Sequence, residues 1–316
     1  MKNKRIVLIF VSLLLVFTLS SCTANEGNLK PDGGNRQGEV EYPLVFKDYY
    51  ERETILEKKP ERIISVAPNI TEIICALGKQ DKLVGRTDYC DYPPAVLDIE
   101  SVGNIDQPSV EKIVELRPDL LITSSIFQKE ALEKLEEVGI KVIILRGEED
   151  FEGLYGVIGD IALLLDAKDK SDELIAKMQE NVEQVKNKVA GLDRPEVYYV
   201  VGYGEFGDFT AGGDTFIAKM IEMAGGINIA NDVEGWSYNI ESLLEADPDM
   251  LICSKYYDSK DGIINTEGYK ELTAVKGGRI FEIDNNKLDR QGPRLADGLI
   301  EMAQIIHPEA FAETEK

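Results

Sequence analysis

Histidine is nearly absent from this chain of 316 residues, which contains only His307. A serine–histidine–aspartate triad, a cysteine–histidine pair or a multi-histidine metal site would each depend on that one residue. It lies near the C-terminus, directly before Pro308, where we expect it to end a helix because positive charge suits the helix dipole there. We therefore expect no catalytic residues, no resident cofactor and no metal site.

Basic residues are also few, since 35 lysines and arginines stand against 58 aspartates and glutamates, for a net charge of −23. A surface with this charge repels a phosphate backbone, whereas proteins that bind nucleic acids need a net basic footprint. We therefore expect no nucleic-acid partner.

Cysteine occurs four times, as Cys22, Cys75, Cys90 and Cys253, with no close pair and no Cys-x-x-Cys spacing. This pattern indicates neither a disulfide framework nor a zinc site. Cys75 and Cys253 lie in apolar runs, where a thiol packs as a small buried hydrophobic group. The sequence assigns no role to Cys90.

The apolar run near the N-terminus, from Ile6 to Phe17, is too short to cross a bilayer, which takes ~20 residues. Basic, apolar and small residues follow one another there in the order of a secretory signal. Leu19-Ser20-Ser21-Cys22 resembles the lipobox of bacterial lipoproteins, which implies acylation of Cys22. We expect a signal over residues 1–22 and a flexible polar tether over 23–41, so that the folded part is extracytoplasmic and held at the membrane by lipid.

The most informative feature present is an internal repeat with a period of 130 residues. SVEKIVELRPDLLIT, residues 109–123, returns as NIESLLEADPDMLIC, residues 239–253. In each copy a polar N-cap, Ser109 or Asn239, precedes a helical stripe, a proline and a short apolar strand. A repeat of domain size with this alternation predicts two α/β lobes of one duplicated fold.

The lobes are expected over residues 42–153 and 195–316, with a linking region over 154–194. The linking region has no proline and carries amphipathic spacing, which predicts one or two long helices. Because a helix resists bending, we expect only a small movement of the lobes. The predicted fold class is α/β, with two Rossmann-like lobes joined by a long helix and a ligand cleft between them.

Several segments share an order and spacing with one known family: RIISVAPNITEIICALG (62–78), VGRTDYCDYPP (84–94), the doubled Glu-containing unit, FTAGGDTF (209–216) and RQGPR (290–294). They resemble the solute-binding lipoproteins of ABC importers for iron-siderophores, haem and cobalamin. The resemblance covers nearly the whole chain after the signal. It implies a binding protein and not an enzyme, with a small-molecule ligand and a permease dimer as partners. We expect it to act as a monomer.

Candidate ligand contacts are aromatic residues on loops after predicted strands, where open α/β sheets place their sites. Tyr89 and Phe209 lie on such loops, and the resemblance to cobalamin-binding members implies that both contact ligand. Trp236 and Tyr238 immediately precede the second repeat, and a lone tryptophan beside Gly235 is poorly placed for full burial. The alternative for each of these residues is a packing role.

Arginines form a second group of candidates. Arg290 and Arg294 lie on a late loop of the second lobe, and Arg86 approaches from the first. Guanidinium groups near a cleft offer bidentate contacts to an anionic or carbonyl-rich ligand. The alternative is a loop before a helix held by surface ion pairs.

A Gly-rich segment, residues 202–207, matches GxGxxG after a predicted strand. A dinucleotide site would require this motif to open a helix, yet residues 208–213 continue as a loop. We interpret the segment as a mobile loop at the cleft.

Cobalamin or a related corrinoid is the expected ligand, because the family resemblance is closest around DYCDYPP (88–94) and FTAGGD (209–214). A large macrocycle also suits flat aromatic walls. Ile105 and Ser124 stand where larger rings would be expected in a cobalamin cleft. The alternatives are a ferric siderophore held by the three arginines, or haem with Tyr89 or Tyr203 on iron. A secreted hydrolase, the alternative from another class, would need a nucleophile and base placed together.

Glu111 and Glu241 occupy the same place in the two repeats, in the first turn of a short helix. An acid there stabilises the helix dipole by ~0.3 to 1 kcal/mol. The resemblance gives the glutamates of this motif a further role, which is docking to two equivalent arginine sites on a twofold-symmetric permease. One carboxylate on each lobe matches such a partner.

Overall fold

The structure, a computed structural model, describes residues 40–124, 127–146 and 150–312, apart from the side chain of Phe206. The predicted signal, Cys22 and the tether up to residue 39 lie outside the described residues. Within the described part of the chain, no helix is both long and apolar enough to span a bilayer.

The N-terminal lobe contains a four-stranded parallel sheet with the strand order β4-β3-β5-β6. Its strands are β3 (Ile63–Ser65), β4 (Leu83–Arg86), β5 (Leu120–Ser124) and β6 (Val142–Leu145). Its helices are α1 (Pro68–Ala76), α2 (Val110–Leu116) and α3 (Lys129–Glu137). An antiparallel hairpin, β1 (Leu44–Lys47) and β2 (Glu53–Leu56), precedes the sheet.

The C-terminal lobe has a second four-stranded parallel sheet, with the order β10-β9-β7-β8. Its strands are β7 (Glu196–Val200), β8 (Ile227–Asn228), β9 (Met250–Ser254) and β10 (Ile280–Ile283). Its helices are α6 (Phe216–Met223), α7 (Ile240–Ala246), α8 (Ser259–Asn265), α9 (Thr273–Lys276), α10 (Leu295–Ile306) and α11 (Pro308–Phe311).

The two sheets have the same topology. In each, the second strand of the lobe lies at one edge, followed by the first, the third and the fourth. The predicted duplication is therefore confirmed at the level of strand order. This arrangement explains why the strands are almost entirely apolar in sequence. Helices cover both faces of a parallel sheet, so few strand side chains are exposed to water.

The repeated unit folds as its local signals predict. The Ser109 side chain accepts a hydrogen bond from the Lys112 backbone N–H at 3.3 Å, and Asn239 accepts one from that of Ser242 at 2.7 Å. These side chains satisfy N–H groups that a helix start leaves without partners. Arg117 and Asp247, each directly before a proline, end the two helices in the left-handed conformation.

Two helices, α4 (Phe151–Leu165) and α5 (Lys168–Val189), fill the predicted linking region. They are separated at Asp166, whose φ of 51° ends α4. One hydrophobic core runs from the N-terminal lobe through both helices into the C-terminal lobe. The two lobes and the linking helices therefore bury their apolar side chains in one shared core.

His307 is the C-cap residue of α10, as predicted. It is buried, and its Nε2 lies 3.1 Å from the carbonyl oxygen of Gly225. The single histidine therefore fastens a helix end to the loop after α6 and lies among structural contacts.

Candidate functional site: the gap between the lobes

The carboxyl edges of the two sheets face each other. Asn69, which follows β3, donates from Nδ2 to the carbonyl oxygen of Gln291 at 3.4 Å. Asp91, which follows β4, accepts from Nη1 of Arg290 at 2.5 Å. Gln291 and Arg290 both follow β10, so loops from the strand ends of one lobe meet those of the other. This is the edge at which open α/β sheets bind their ligands.

A buried carboxylate, that of Glu72 on α1, lies at the centre of this contact. Its side chain is only 2% exposed. Arg294 binds it bidentately, with Nε 2.8 Å from Oε2 and Nη2 2.6 Å from Oε1. Arg290 adds a contact from Nη1 to Oε1 at 3.2 Å. We call Glu72, Asp91, Arg290 and Arg294 the interlobe ion-pair cluster.

The interlobe ion-pair cluster balances its own charge, with two guanidinium groups against two carboxylates. Burial would lower the pKa of Arg290, but its hydrogen bonds to Asp91 and Glu72 raise the pKa on balance. The hydrogen bond from Arg290 also lowers the pKa of Asp91. Arg294 additionally stacks on the ring of Tyr92, 4.0 Å from its centroid. Both predicted arginines are therefore at the gap, but each is already paired.

Arg86 lies in a different environment, buried against the turn formed by residues 94–98. Its guanidinium donates to the carbonyl oxygens of Val96 at 2.8 Å, Thr87 at 2.8 Å and Leu97 at 3.2 Å. Because Nε, Nη1 and Nη2 each have a carbonyl partner, the side chain stabilises the loop that carries Tyr89. The donors of Arg86 are thus occupied within its own lobe.

Three of the four predicted aromatic residues present exposed rings. Tyr89, Phe209 and Trp236 retain between 37% and 51% of their accessible surface. Tyr89 lies on the loop after β4, and Phe209 on the loop after β7. Trp236 lies next to Phe209, because its carbonyl oxygen accepts from the backbone N–H of Thr210 at 2.8 Å. Loops of both lobes thus carry exposed rings.

The ring of Phe209 packs against two glycines of the Gly-rich segment. A Cβ atom on Gly202 would stand 2.9 Å from the Phe209 ring, and one on Gly207 would stand 3.1 Å from it. Both distances are shorter than ordinary carbon contacts, so a side chain at either position would displace the ring. A single 3₁₀ turn over Gly204–Phe206 closes the segment, and α6 begins only at Phe216. The GxGxxG pattern does not open a helix here.

Tyr238 packs more deeply than the other predicted aromatic residues. Its ring centroid lies 5.6 Å from that of Tyr198 in the core, and burial raises its pKa. Nearby, the Tyr269 hydroxyl donates to Oδ1 of Asp208 at 2.8 Å, next to Phe209 in sequence. Buried tyrosines therefore support the loop that carries the exposed rings.

The buried thiol of Cys90 links the loop of Tyr89 to α1. The hydroxyl of Thr71 donates to Sγ at 3.1 Å, and the hydroxyl of Thr87 lies 3.2 Å from it. Cys253 is buried in an apolar core, as predicted, whereas Cys75 is only partly buried. Burial raises the pKa of the Cys75 thiol to about 11 and that of the Cys253 thiol to about 12. These high pKa values keep both thiols protonated at neutral pH.

A cavity of about 290 Å³ lies behind the interlobe ion-pair cluster, between it and α5. Glu72, Tyr92 and Arg294 line one side, and Met178 lines the other. This volume is below the ~300–1,000 Å³ of typical small-molecule sites. This cavity is therefore too small for a macrocyclic ligand.

Glu72 is not among the site residues predicted from the sequence. A signal was present, since Glu72 stands among Ile70, Ile73 and Ile74 on the buried face of α1. A carboxylate in such a position needs a cationic partner, because an unpaired buried charge is very costly. The partners are distant in sequence, and nothing local identifies them.

Glu111 and Glu241 are exposed in the first turns of α2 and α7. Each helix runs into the amino end of the following strand, so its own N-terminus lies toward the carboxyl edge of the sheet. The two carboxylates are therefore on the same side of the molecule as the gap, one on each lobe. The Ser109 hydroxyl donates to Oε2 of Glu111 at 3.2 Å.

Two duplicated α/β lobes that face each other across a gap define a solute-binding protein. The family model for periplasmic binding proteins matches residues 63–287, and the chain belongs to this family. Its members are solute-binding proteins of ABC transporters and not enzymes, which confirms the predicted class.

Similar proteins span almost the whole chain. The uncharacterized ABC transporter substrate-binding lipoprotein YvrC of Bacillus subtilis is 29% identical over 311 residues, covering 96% of this chain and 98% of its own. A cobalamin-binding protein of Halobacterium salinarum is 27% identical over 315 residues, covering 94% and 84%.

A solved structure extends the comparison to the fold. The apo form of the periplasmic haem-binding protein RhuT from Roseiflexus sp. RS-1 has a TM-score of 0.72 and 26% identity, covering 79% of this chain and 99% of that one. The predicted fold class is thereby confirmed. The chain is an extracytoplasmic binding protein of an ABC importer, with a permease and a small molecule as its partners.

Proposed function

We propose that this chain captures cobalamin or a related corrinoid in the gap between its lobes and delivers it to an ABC permease. The observation that carries the proposal is the set of exposed rings, Tyr89, Phe209 and Trp236, on loops at the carboxyl edges of the two sheets. A fully buried aromatic side chain removes ~150–250 Å² from water, and these three residues still expose about a third to a half of their surface. Rings from both lobes therefore suit a large planar macrocycle.

The pairing of the arginines favours a corrinoid over the other ligands of the family. A ferric catecholate or haem carries anionic groups that bind best to free cationic partners. Arg290 and Arg294 are already paired with Glu72 and Asp91, and Arg86 with backbone carbonyls. Binding an anion there would require breaking buried contacts. The amide groups around a corrin ring need only neutral hydrogen bonds.

Delivery to the permease rests on the glutamates of the two repeats. Glu111 and Glu241 are exposed on the side of the gap, one on each lobe, and belong to equivalent helices. We propose that they dock the loaded monomer onto a twofold-symmetric permease. Acylation of Cys22 would keep the protein near that partner, and the name of the Bacillus subtilis relative, a lipoprotein, supports this anchor.

Retention of ligand through gel filtration tests the proposal. The purified protein is mixed separately with cyanocobalamin, dicyanocobinamide, hemin and a ferric catecholate, and the visible spectrum of the protein peak is recorded. We expect the corrinoid bands to co-elute with the protein. Co-elution of hemin or the ferric chelate alone would show that the corrinoid assignment is wrong.

A further inference from the structure

Phe127 and Tyr257 occupy the same position in the two lobes but have opposite environments. They are separated by the repeat period, and each stands three residues after the last residue of a strand and two residues before the first residue of a helix. Phe127 is 5% exposed and belongs to the core of the N-terminal lobe. Tyr257 is 97% exposed. The duplicated position thus supplies a core ring in one lobe and a solvent-facing ring in the other.

The backbone accounts for this difference. Tyr257 and the following Asp258 both adopt left-handed φ values, 60° and 51°, whereas Gln128, the counterpart of Asp258, has a φ of −70°. Two consecutive non-glycine residues in this region are unfavourable, and an aromatic residue there is unusual. Such strain persists where the surrounding structure enforces it, and it clusters at ligand-binding sites.

The loop of Tyr257 is anchored on both sides at the carboxyl edge of the sheet. On one side, the Ser254 hydroxyl donates to Asn285 at 2.7 Å and the Tyr256 hydroxyl donates to Asp284 at 3.0 Å. On the other side, Gly262 of α8 leaves room for the hydroxyl of Tyr203, since a Cβ atom there would stand 1.9 Å from it.

The strand order then places Tyr257 among the other site residues. Because β9 lies between β10 and β7, its loop lies between the loop that carries Arg290 and the loop that carries Phe209. The exposed ring therefore stands at the same edge as the rings of the proposed site.

We infer that Tyr257 is a further ligand-contacting residue of the C-terminal lobe, held outward by its strained backbone to offer its ring to a flat macrocycle. This inference rests on the proposed function. A ring that is almost wholly exposed in the free protein has most of its surface left to bury against a ligand, so its contact contributes to affinity. The strain lowers the stability of the free protein and keeps the ring outside the core.

The substitution Tyr257→Asn separates the effect of the ring on ligand affinity from the effect of the strained backbone on stability. Asparagine tolerates the left-handed conformation but has no ring. We expect the affinity for cyanocobalamin or dicyanocobinamide to fall about tenfold or more. The melting temperature of the ligand-free variant should stay unchanged or rise by about 2 °C as strain is relieved. Tyr257→Phe should retain wild-type affinity. Val138→Asn, at an exposed apolar residue on the opposite edge of the first lobe, should change neither quantity.

The inference would be overturned if Tyr257→Asn bound corrinoids with wild-type affinity. It would also be overturned if the melting temperature of this variant fell far enough for unfolding to explain the weaker binding. The wild-type protein is tested in parallel with both corrinoids and hemin. If hemin alone is retained, the corrinoid proposal fails. Tyr257 is then a ligand contact if Tyr257→Asn binds hemin about tenfold or more weakly than the wild-type protein, and is not one if the two affinities are equal. Retention of none of the three overturns both.

Discussion

Glu72 and Arg294 form a bidentate ion pair that joins the two lobes, with N–O separations of 2.8 and 2.6 Å. Glu72 belongs to α1 of the first lobe, and Arg294 is the N-cap residue of α10 in the second. Both side chains are largely buried. Removing these charges from water is costly, so the ion pair adds little to the free energy of unfolding. Its main effect is to fix the position of α1 relative to α10.

Removing the Glu72 carboxylate should destabilise the protein, because the arginines would remain buried without it. We expect Glu72→Ala to lower the free energy of unfolding by about 3–5 kcal/mol, because the largely buried Arg294 would lose its bidentate carboxylate partner and Arg290 would keep only Asp91. Urea denaturation measures the change. As a control, Asp91→Ala should cost about 1 kcal/mol or less, since the Asp91 side chain is half exposed. Equal losses in the two variants would contradict the central role of Glu72.

Ligand binding should change the overall shape very little. The continuous core through α4 and α5, together with the interlobe ion-pair cluster, resists hinge bending. X-ray scattering curves recorded with and without ligand should nearly superimpose. Glu72→Ala provides the comparison, because loss of the ion pair should broaden the distribution of lobe positions. A large fall in the radius of gyration of the wild-type protein on binding would show that the hinge is flexible.

The exposed rings should contribute to affinity and not to stability. Phe209→Ala or Trp236→Ala is expected to weaken ligand binding by about 1–3 kcal/mol, as for rings that contact a ligand. Titration calorimetry gives the affinity, and thermal melting of the ligand-free variants checks the fold. Val138→Ala serves as a control away from the gap. A large drop in melting temperature in either ring variant would identify that ring as part of the core.

The paired glutamates should control transport without affecting capture. The double substitution of Glu111 and Glu241 by Arg is expected to abolish import, because it reverses the charge at both docking positions. Ligand affinity and melting temperature should remain near wild type. Uptake of labelled ligand by cells that depend on the protein is the measurement.

The same helices offer a matched control for this experiment. Glu115 and Glu245 are also separated by the repeat period and are exposed, one turn further along α2 and α7. Their double substitution by Arg makes the same change in net charge and should leave import intact. Normal uptake with Glu111 and Glu241 both changed, at normal surface levels of protein, would leave only the helix-dipole role for these residues.

Local features of the chain predicted the architecture. Polar caps at Ser109 and Asn239, prolines after the helices and short apolar strands act over a few residues, and each formed the expected element. The repeat extended the prediction from single elements to whole lobes, because two similar segments are expected to fold with the same strand order. The helical character of the linking region followed in the same way from its amphipathic spacing.

The arrangement of the site depended on contacts between distant parts of the chain. Glu72 and Arg294 are 222 residues apart, and nothing near either one identifies its partner. Arg86 matches the pattern of a cleft arginine, yet its guanidinium is bound to carbonyls that only the folded loop places there. Phe127 and Tyr257 are separated by the repeat period, yet Phe127 is buried while Tyr257 is exposed and adopts a left-handed backbone conformation. Local signals act through neighbouring residues, whereas charge pairing and ring exposure depend on which surfaces the folded lobes bring together.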